Sequence, residues 1–439
     1  MSRATPKEIR AEDFHPAERV ALAYVAPEGD LALYNDYEGH ESWLVRAPQL
    51  DPDARRVVGN WRRPVPGSRE ITLGEAVQGY GVFTFPYGPV AMGIPEAGAF
   101  DLRTYGERIL EATPSVGFKQ RGIDRLVIGR SVEDAALIVE RRSGPFALAH
   151  VAAFLAAAES ATGRRVPERE LWVRALAQEI QRTTDHLRVI ARIADAASQN
   201  VGAAQVHALE EESLRLTARY FGHRFGFGAL VPGGPRRRLD APDRAELGER
   251  AAAIGHAFDA LWETLLVSRT FIDRIQSTGT IPTREAIRWA AVGPTLRASN
   301  VAWDDRLRQP SRPYSELFVP LAIEVHGDAL ARALVRREEI RASLLMVEQL
   351  LDQWDRPGAS EADPLPPIDP GRGLARVEAP SGDLVYDVRI ENGVVRAMGV
   401  RTPSEANWSV IALSLRGAVF TDFSFDLESF GLSFAETDG

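Results

Sequence analysis

The middle of the chain is dominated by segments in which apolar residues recur every three or four positions. This spacing places apolar side chains on one face of an α-helix. It occurs in several long stretches between residues 132 and 354, among them Ala136 and Val139; Leu171, Ala175, Leu176, Ile180, Leu187 and Ile190; and Leu330, Leu334, Ile340, Leu344, Val347 and Leu351. Helices that each bury one such face pack together, so the pattern predicts a helix bundle over residues 129–354.

The segments on either side of the bundle have patterns typical of strands. Residues 76–128 contain short extended pieces joined by glycine turns, such as FPYGPVAMGIPEAG, and lead into a helix near Val132. Residues 374–439 contain LVYDVRI and VVRAMGV on either side of Glu391-Asn392-Gly393, and Asn-Gly supplies the positive φ angles of a tight hairpin. The apolar and aromatic residues from 410 to 436 are expected to pack inward.

Two regions have weaker patterns. Residues 1–75 combine a short alternating piece, LALYNDY, with stretches rich in Pro and Arg, which predicts a small irregular region. Residues 355–373, DRPGASEADPLPPIDPGRG, hold too many Pro and Gly residues for a helix or strand and predict a surface linker. The predicted fold is therefore α+β, a central helix bundle with β-rich N-terminal and C-terminal segments.

Composition excludes several classes of protein. The 439 residues include no cysteine, which excludes a disulfide, a thiolate-ligated zinc, a cysteine nucleophile and a conventional iron–sulfur cluster held by this chain. A net charge of −9 argues against a nucleic-acid groove or a polybasic membrane anchor. The most apolar run, residues 146–158, is shorter than the roughly 18–20 residues of a membrane span, and the charged N-terminus does not resemble a signal peptide. We expect a cytoplasmic chain.

Few motifs point to chemistry on their own. Glu179, Arg182 and His186 are three and four residues apart and share one helix face, which favours an internal ion-pair ladder over a reactive site. His207 and His223 could suggest a metal, but a spacing of sixteen residues is a weak signal for one and favours a surface or capping role. Residues 231–240 carry a glycine turn and three arginines, which could form a phosphate contact or an exposed loop; because the chain is acidic, we favour a contact to a protein partner. There is no dinucleotide-binding, Walker or Gly-x-Ser-x-Gly motif.

Seven colinear segments carry a resemblance to a known family. They are FPYGPV at 85–90, FKQRGID at 118–124, RALAQEIQRTTDHL at 174–187, PGGPRR at 232–237, GPTLRAS at 293–299, RVEAP at 376–380 and VRTP at 400–403. In order and spacing, over roughly residues 82–439, the chain resembles the large subunit of membrane-bound, energy-converting nickel-iron hydrogenases of the hydrogenase-4 and formate-hydrogenlyase type. It also resembles their homologue, the 49-kDa subunit of complex I. The resemblance implies the nickel-iron hydrogenase large-subunit fold.

The resemblance also shows what is missing. Such hydrogenases hold nickel and iron with four thiolates, in Arg-x-Cys-Gly-x-Cys and in a C-terminal Asp-Pro-Cys-x-x-Cys, and the matching positions here are Ser143, Phe146, Ser433 and Glu436. The arginine that follows Ala-Pro near the metal in the family is Ser381 here. Hydroxyl, phenyl and carboxylate groups do not replace soft thiolates, so we expect no metal and no hydrogen chemistry in this chain. The rest of the degenerate pocket would comprise Arg141, Asp124 and, by a loose match to a family glutamate associated with proton movement, Glu96.

The residues that hold a quinone headgroup in complex I are also replaced. The histidine of the Gly-Pro-x-His-Pro segment corresponds to Met92 or Ala91, and the tyrosine near the first cysteine motif corresponds to Gly144. A histidine that lies near the terminal iron–sulfur cluster in the family corresponds to Gly226 here. Arg121, in the family's His-Arg-Gly segment beside the partner's cluster, is kept, although Gln120 replaces the preceding histidine. The resemblance thus implies that Arg121 and the face of Glu179, Arg182 and His186 organise the interface with a small subunit, or the interior around it.

Three hypotheses follow. The first is a metal-free subunit of a membrane-associated, complex I-like redox or ion-translocating complex, which scaffolds an iron–sulfur small subunit and couples it to a membrane arm. The second is a quinone-reducing oxidoreductase subunit that uses the degenerate cavity, and the third is a soluble enzyme that uses Glu436, Asp124 and Arg141. We favour the first. Its expected partners are an iron–sulfur small subunit of the complex I B type, a chain of the complex I C type and a membrane arm with antiporter-like proteins. Its expected location is the cytoplasmic face of the inner membrane, with no nucleic acid bound.

Overall fold

The computed structural model describes residues 7–10, 20–28, 30–37, 39, 41–46, 69–70, 77–91, 96–308, 313–354 and 369–439. Its strands are β1 Lys7–Arg10, β2 Val20–Val25, β3 Leu31–Asp36, β4 Glu41–Arg46, β5 Arg69–Glu70, β6 Phe83–Tyr87, β7 Ala99–Tyr105, β8 Arg108–Val116, β9 Leu230–Val231, β10 Gly234–Pro235, β11 Gly371–Ala379, β12 Gly382–Glu391 and β13 Val394–Arg401. Its helices are α1 Ile123–Leu126, α2 Val132–Val139, α3 Ala147–Thr162, α4 Glu168–Ala196, α5 Asn200–Phe221, α6 Ala241–Leu266, α7 Arg269–Ile275, α8 Thr283–Arg288, α9 Gly293–Ala298, α10 Asp305–Arg308, α11 Ala329–Asp352, α12 Pro403–Ser414, α13 Phe423–Phe430 and α14 Phe434–Asp438.

The long helices form the expected bundle, and the predicted α+β fold with a central bundle is confirmed. Helix α4 lies at its centre and packs against α5, α11 and α13. Helix α3 packs on the sheet of β11, β12 and β13. One segment, Gly144–Thr162, is long and apolar enough to cross a membrane by length and composition, but 78% of it is buried inside the protein, as is typical of a core helix.

The Asn-Gly hairpin is present as predicted. Strands β12 and β13 are antiparallel, with Glu391 opposite Val394. Asn392 and Gly393 have φ angles of 55° and 71°, the left-handed conformations that a two-residue hairpin turn requires.

The N-terminal region differs from the irregular structure expected for residues 1–75. The described residues between 7 and 46 form a sheet of four strands in the order β1-β4-β3-β2. Strand β3 is buried along its whole length, because the sheet packs through Leu31 and Leu33 against Val385 of β12 on one face and buries Ala32 and Tyr34 on the other. A strand buried on both faces shows no alternation of polar and apolar residues, so its pattern is weak.

A second four-stranded sheet, β5-β8-β7-β6, is the described part of the segment expected to be β-rich. It leads into α1 and α2, and β8 packs against α12 and α14. Of the predicted linker, residues 355–368 lie outside the described residues, and β11 begins at Gly371. These elements place the start of α3 beside the C-terminal helix α14.

Candidate functional site

The structure brings three of the four former thiolate positions together. Ser143 immediately precedes the 3-10 turn Gly144–Phe146 that leads into α3, and Ser433 caps the N-terminus of α14. The two hydroxyl oxygens are 3.4 Å apart, although 290 residues separate them in the sequence. The backbone N–H of Glu436 donates to Ser433 Oγ at 3.2 Å. The N-cap bond therefore holds Ser433 and Glu436 in the same turn.

Phe146 fills the fourth position without supplying a donor atom. Its ring is fully buried, and the guanidinium carbon of Arg188 lies 5.9 Å from the ring centre. The side chain adds to the packing at the start of α3.

Glu436 is paired with a histidine that the sequence did not single out. Glu436 Oε1 lies 3.2 Å from His150 Nε2, and both side chains are fully buried. Glu436 Oε2 accepts the backbone N–H of Ser404 at 3.2 Å, and His150 Nδ1 is 2.8 Å from the hydroxyl of Tyr386. Burial lowers the pKa of His150 and raises that of Tyr386, so both groups are neutral near pH 7. A carboxylate, an imidazole and a phenol thus occupy the centre of the pocket.

The pocket contains Arg142 and not Arg141. The side chain of Arg142 is 3% exposed; it pairs with Asp124, and its Nη1 donates to the backbone carbonyl of Glu436 at 3.3 Å. The side chain of Arg141 is 55% exposed and lies over Phe227, with 4.3 Å from its guanidinium carbon to the ring centre. Neighbouring residues in the turn after α2 point in different directions, so the choice of Arg141 is corrected to Arg142. The third hypothesis required Glu436, Asp124 and Arg141 to converge in one pocket. They do not, because the side chain of Arg141 lies at the surface.

Glu96 and Ser381 both help to hold the C-terminal segment. Glu96 accepts hydrogen bonds from Ser433 Oγ, at 3.1 and 2.9 Å to its two oxygens, and from the backbone N–H of Ala435 at 2.9 Å. Ser381 Oγ donates to the backbone carbonyl of Gly431 at 2.8 Å. The loosely matched glutamate is thus in the pocket, bonded to a former ligand position.

A cleft of about 390 Å³ opens beside these residues. Glu96 and Ser433 lie on its inner wall, and Arg188 and Arg192 project into it from α4. Its other lining residues are Pro145, His207, Glu210, Trp408, Leu427, Glu428, Leu432 and Phe434. Both arginines are already paired, Arg192 with Glu428 at 2.8 Å and Arg188 with Asp185. The cleft has an apolar wall and a charged wall.

The positions that correspond to quinone ligands in complex I offer no polar side chain. Gly144 lines a small cavity next to the cleft. At Gly226, φ is 70° and a Cβ atom would lie 2.6 Å from Leu148 Cδ2, so the backbone there requires glycine. Of the two alternatives for the histidine, Ala91 is described and Met92 lies outside the described residues.

Arg121 lies at the surface, on a loop attached to the C-terminal end of the chain. Its Nη1 and Nη2 donate to the backbone carbonyls of Arg141 and Arg142 at 2.7 and 2.6 Å. The backbone N–H groups of Arg121 and Gly122 donate to the carbonyl of Gly439 at 2.7 and 3.0 Å. The position of Arg121 therefore depends on the first of the former cysteine motifs and on Gly439, three residues beyond the second.

Glu179, Arg182 and His186 lie in the interior of the bundle. Glu179 accepts from Arg306 at 3.0 Å and from the hydroxyl of Tyr314 at 2.7 Å. Although burial opposes its ionisation, Arg306 and Arg182 lower the pKa of Glu179. His186 Nε2 is 2.8 Å from Glu339 Oε2, and burial lowers the pKa of His186 to about 4. Their partners are internal, so these residues organise the interior and do not form an exposed interface.

The remaining candidate residues contact side chains close to them in the sequence. His207 pairs with Glu210 at 2.7 Å, and His223 stacks on Phe227 with ring centres 4.6 Å apart. In the arginine-rich loop, Arg237 bonds Asp243 at 3.0 Å. Over the described parts of the chain, no group of three or more His, Asp or Glu residues could hold a metal ion.

Comparison with known proteins shows which families the chain resembles. Residues 203–367 match the model of the respiratory-chain NADH dehydrogenase 49-kDa subunit. The carbon monoxide-induced hydrogenase of Rhodospirillum rubrum is 28% identical over 356 residues, which cover 79% of this chain and 96% of that protein. The resemblance to the 49-kDa subunit of complex I and to the large subunits of membrane-bound hydrogenases is therefore confirmed.

Two similar proteins belong to membrane complexes. The membrane-bound hydrogenase subunit alpha of Pyrococcus furiosus is 26% identical over 80% of this chain and 86% of that protein. A chain in the structure of the membrane-bound sulfane sulfur reductase, an archaeal respiratory membrane complex, superposes with a TM-score of 0.74 at 26% identity, over 82% of this chain and 99% of that chain. The protein therefore resembles subunits of complex I-like, hydrogenase-related membrane complexes. Its assignment to the hydrogenase-4 type stays a prediction.

Proposed function

We propose that this subunit holds no metal of its own, scaffolds an iron–sulfur small subunit and couples it to a membrane arm. The observation that carries the proposal is that the former ligand positions bond to groups of the same chain. Ser433 is bonded to Ser143 and Glu96, and Glu436 is paired with His150.

The donor set does not fit a nickel-iron centre. Nickel and iron in the related hydrogenases require four soft thiolates, whereas this pocket offers two hydroxyls, one carboxylate and a phenyl ring. The carboxylate is held between His150 and the backbone of Ser404, so binding a metal would require it to give up both contacts. No reaction step is therefore assigned to a metal here.

The surfaces that would serve a partner are retained. Arg121 is exposed, and its guanidinium bridges the carbonyls of Arg141 and Arg142 at the former first cysteine motif. We assign this surface to an iron–sulfur small subunit of the complex I B type. A chain of the complex I C type and a membrane arm with antiporter-like proteins complete the proposed assembly, on the cytoplasmic face of the inner membrane.

Isolation of the native complex tests the proposal. The chain should carry the affinity tag at its N-terminus, because its C-terminal residues are bonded into the pocket. We expect an iron–sulfur subunit and membrane proteins to copurify, with several iron atoms but far less than one nickel atom for each copy of this chain. One nickel atom per chain, or a chain recovered without companions at native expression, would contradict the proposal.

The cleft supports a second candidate, the reduction of a quinone by electrons from a partner's cluster. Trp408, Leu427 and Phe434 provide an apolar wall, and Arg188 and His207 provide hydrogen-bond donors that differ from those of complex I. A photoreactive quinone that labels these residues in the isolated complex would favour this candidate. Labelling that is confined to other subunits would exclude it.

A further inference from the structure

A second cluster of buried ionisable groups lies outside the degenerate pocket, where two carboxyl groups meet one guanidinium. Arg376 Nη2 is 3.1 Å from Asp305 Oδ1 and 2.7 Å from Asp383 Oδ2. Asp305 begins α10, Arg376 lies on β11 and Asp383 lies on β12. The side chains are 3%, 4% and 2% exposed, so water does not screen the two carboxyls from each other.

The two carboxyl groups are not equivalent. Asp383 accepts two hydrogen bonds from Arg376, from Nε at 3.1 Å and from Nη2 at 2.7 Å. Asp305 approaches the same Nη2, but within the described residues neither of its carboxyl oxygens accepts a hydrogen bond. A buried carboxylate normally accepts several, so Asp305 lacks what would stabilise its charged form.

Arg376 cannot turn fully towards Asp305, because its other nitrogen is also in use. Its Nη1 donates to Asn35 Oδ1 and to Ser42 Oγ, both at 3.2 Å. The charged and titratable groups that face the two aspartates from the surrounding elements are Arg376 and Glu378 on β11, Arg401 on β13 and Tyr37 after β3. Glu378 Oε2 accepts the backbone N–H of Asp305 at 3.2 Å and adds further negative charge beside it.

We infer that Asp305 and Asp383 form a buried proton-binding site, in which Asp305 holds the proton and donates it in a hydrogen bond to the Asp383 carboxylate. Two carboxylates that approach the same guanidinium nitrogen in a dry interior repel each other, and one shared proton converts this repulsion into a charge-assisted hydrogen bond. Arg376 is then the counter-ion of Asp383. The bound ligand is one proton, which is released to solvent when the site ionises.

The pKa values of Asp305 and Asp383 are shifted in opposite directions, as a site with one shared proton requires. Burial raises the pKa of Asp305 well above its ordinary value, and although Arg376 lowers it, the neighbouring Asp383 and Glu378 raise it further. Although burial also opposes ionisation of Asp383, Arg376 lowers its pKa below the ordinary value. Because the folded-state pKa of Asp305 is raised, its contribution to stability is full below about pH 4 and is lost as the pH rises through the folded-state value.

The proton would be held where three parts of the molecule meet. Arg376 links the N-terminal sheet, through Asn35 and Ser42, to α10 and to the β12 strand. Loss of the proton would leave two buried carboxylates to share the single guanidinium of Arg376 at this junction and loosen the contact of the N-terminal sheet. The inference does not depend on the proposed function, because it concerns this chain in any assembly.

Infrared spectroscopy of the full-length protein at pH 8 tests the site. At this pH Glu378, with a pKa raised to about 7, is mostly ionised, so its contribution is small. We expect the carbonyl stretch of one protonated carboxylic acid to disappear in Asp305→Asn and also in Asp383→Asn, since either change leaves a single carboxylate for Arg376. Asp304→Asn is the matched control, because Asp304 is equally buried but ionised, with a pKa lowered to about 2, and it should leave the band unchanged.

Denaturation identifies which aspartate carries the proton. In Asp305→Asn the amide mimics the protonated acid and can donate to Asp383, so the equilibrium constant for unfolding should increase by about tenfold or less. The stability of this variant should also depend less on pH. Asn at 383 removes the ionised partner of Arg376, and the change should be roughly 100-fold. A band that is absent from the wild type, or that survives both substitutions, would overturn the shared proton. A larger effect for Asp305→Asn than for Asp383→Asn would overturn its assignment to Asp305.

Discussion

Ser143 and Ser433 provide a direct test of whether the two degenerate motifs meet. Their hydroxyl oxygens are 3.4 Å apart in the folded chain. The sequence contains no cysteine, so the double variant S143C/S433C would contain the only two thiols in the protein. We expect these thiols to form a disulfide under mild oxidation, because side-chain atoms 3.4 Å apart need to move by little more than 1 Å to reach the S–S bond length of about 2 Å. Mass spectrometry of peptides from the unreduced protein would detect the link.

The two single variants are the controls for this experiment. Each should show one free thiol and no internal link, whatever the oxidant. If the double variant keeps two free thiols under conditions that oxidise exposed cysteines, the two motifs do not meet as described.

Other residues of the pocket could be predicted only in part. The positions of Ser143, Ser433 and Glu436 follow from the resemblance, because the related hydrogenases bind one metal centre with these motifs. His150 was not recognised, because a single histidine in an apolar helix is usually a core residue and its partner Glu436 is 286 residues away in the sequence. Tyr386 likewise stands in a strand with no local signal. Contacts between distant segments determine both roles.

At the scale of elements, helix α14 holds most of the pocket together, and its position depends on one glycine. A Cβ atom at Gly98, just before β7, would lie 2.0 Å from Phe434 Cε1. The Phe434 ring also packs against Trp408 and Phe100, with ring centres 4.5 and 6.2 Å away. We therefore expect Gly98→Ala to destabilise the protein by about 1–3 kcal/mol, measured by denaturation. Displacement of α14 should also expose Glu436 and His150.

A second substitution separates overpacking from other effects of Gly98→Ala. Phe434→Leu removes the ring atoms that would clash, so the double variant should lose less stability than the sum of the two single variants. Additive losses would mean that the two side chains do not meet.

The elements themselves were predictable to the extent that their patterns are local. The hairpin of β12 and β13 follows from Asn-Gly, and the bundle follows from helical spacing, because both signals lie within a few residues. The N-terminal sheet could not be predicted in this way, because β3 is buried on both faces and its sequence shows no alternation of polar and apolar residues. The pairing of β1 with β4 is parallel and joins segments that are not adjacent in sequence, which no local pattern encodes.

At the scale of the whole molecule, the degenerate pocket and the exposed Arg121 surface form one connected unit. The C-terminal segment is hydrogen-bonded to Glu96 and Ser404 and lies against His150 inside the protein, and it also bonds the backbone of Arg121 near the surface. A pocket that no longer needs a metal would therefore still have to keep its shape for the outer surface to persist. This connection explains why the motifs around the lost ligands remain recognisable.

Substitution of Arg121 tests whether that surface serves a partner. Arg121→Ala removes two charge-assisted hydrogen bonds to the carbonyls of Arg141 and Arg142, and we expect roughly tenfold weaker recovery of the iron–sulfur subunit or a shifted potential of its cluster. Arg125→Ala is the matched control, since Arg125 is an exposed arginine on the adjacent α1 and should leave both properties unchanged. The measurements are redox titration and subunit stoichiometry of the isolated complex. If Arg121→Ala leaves assembly and potential unchanged, Arg121 only braces the turn after α2 and has no role at the interface.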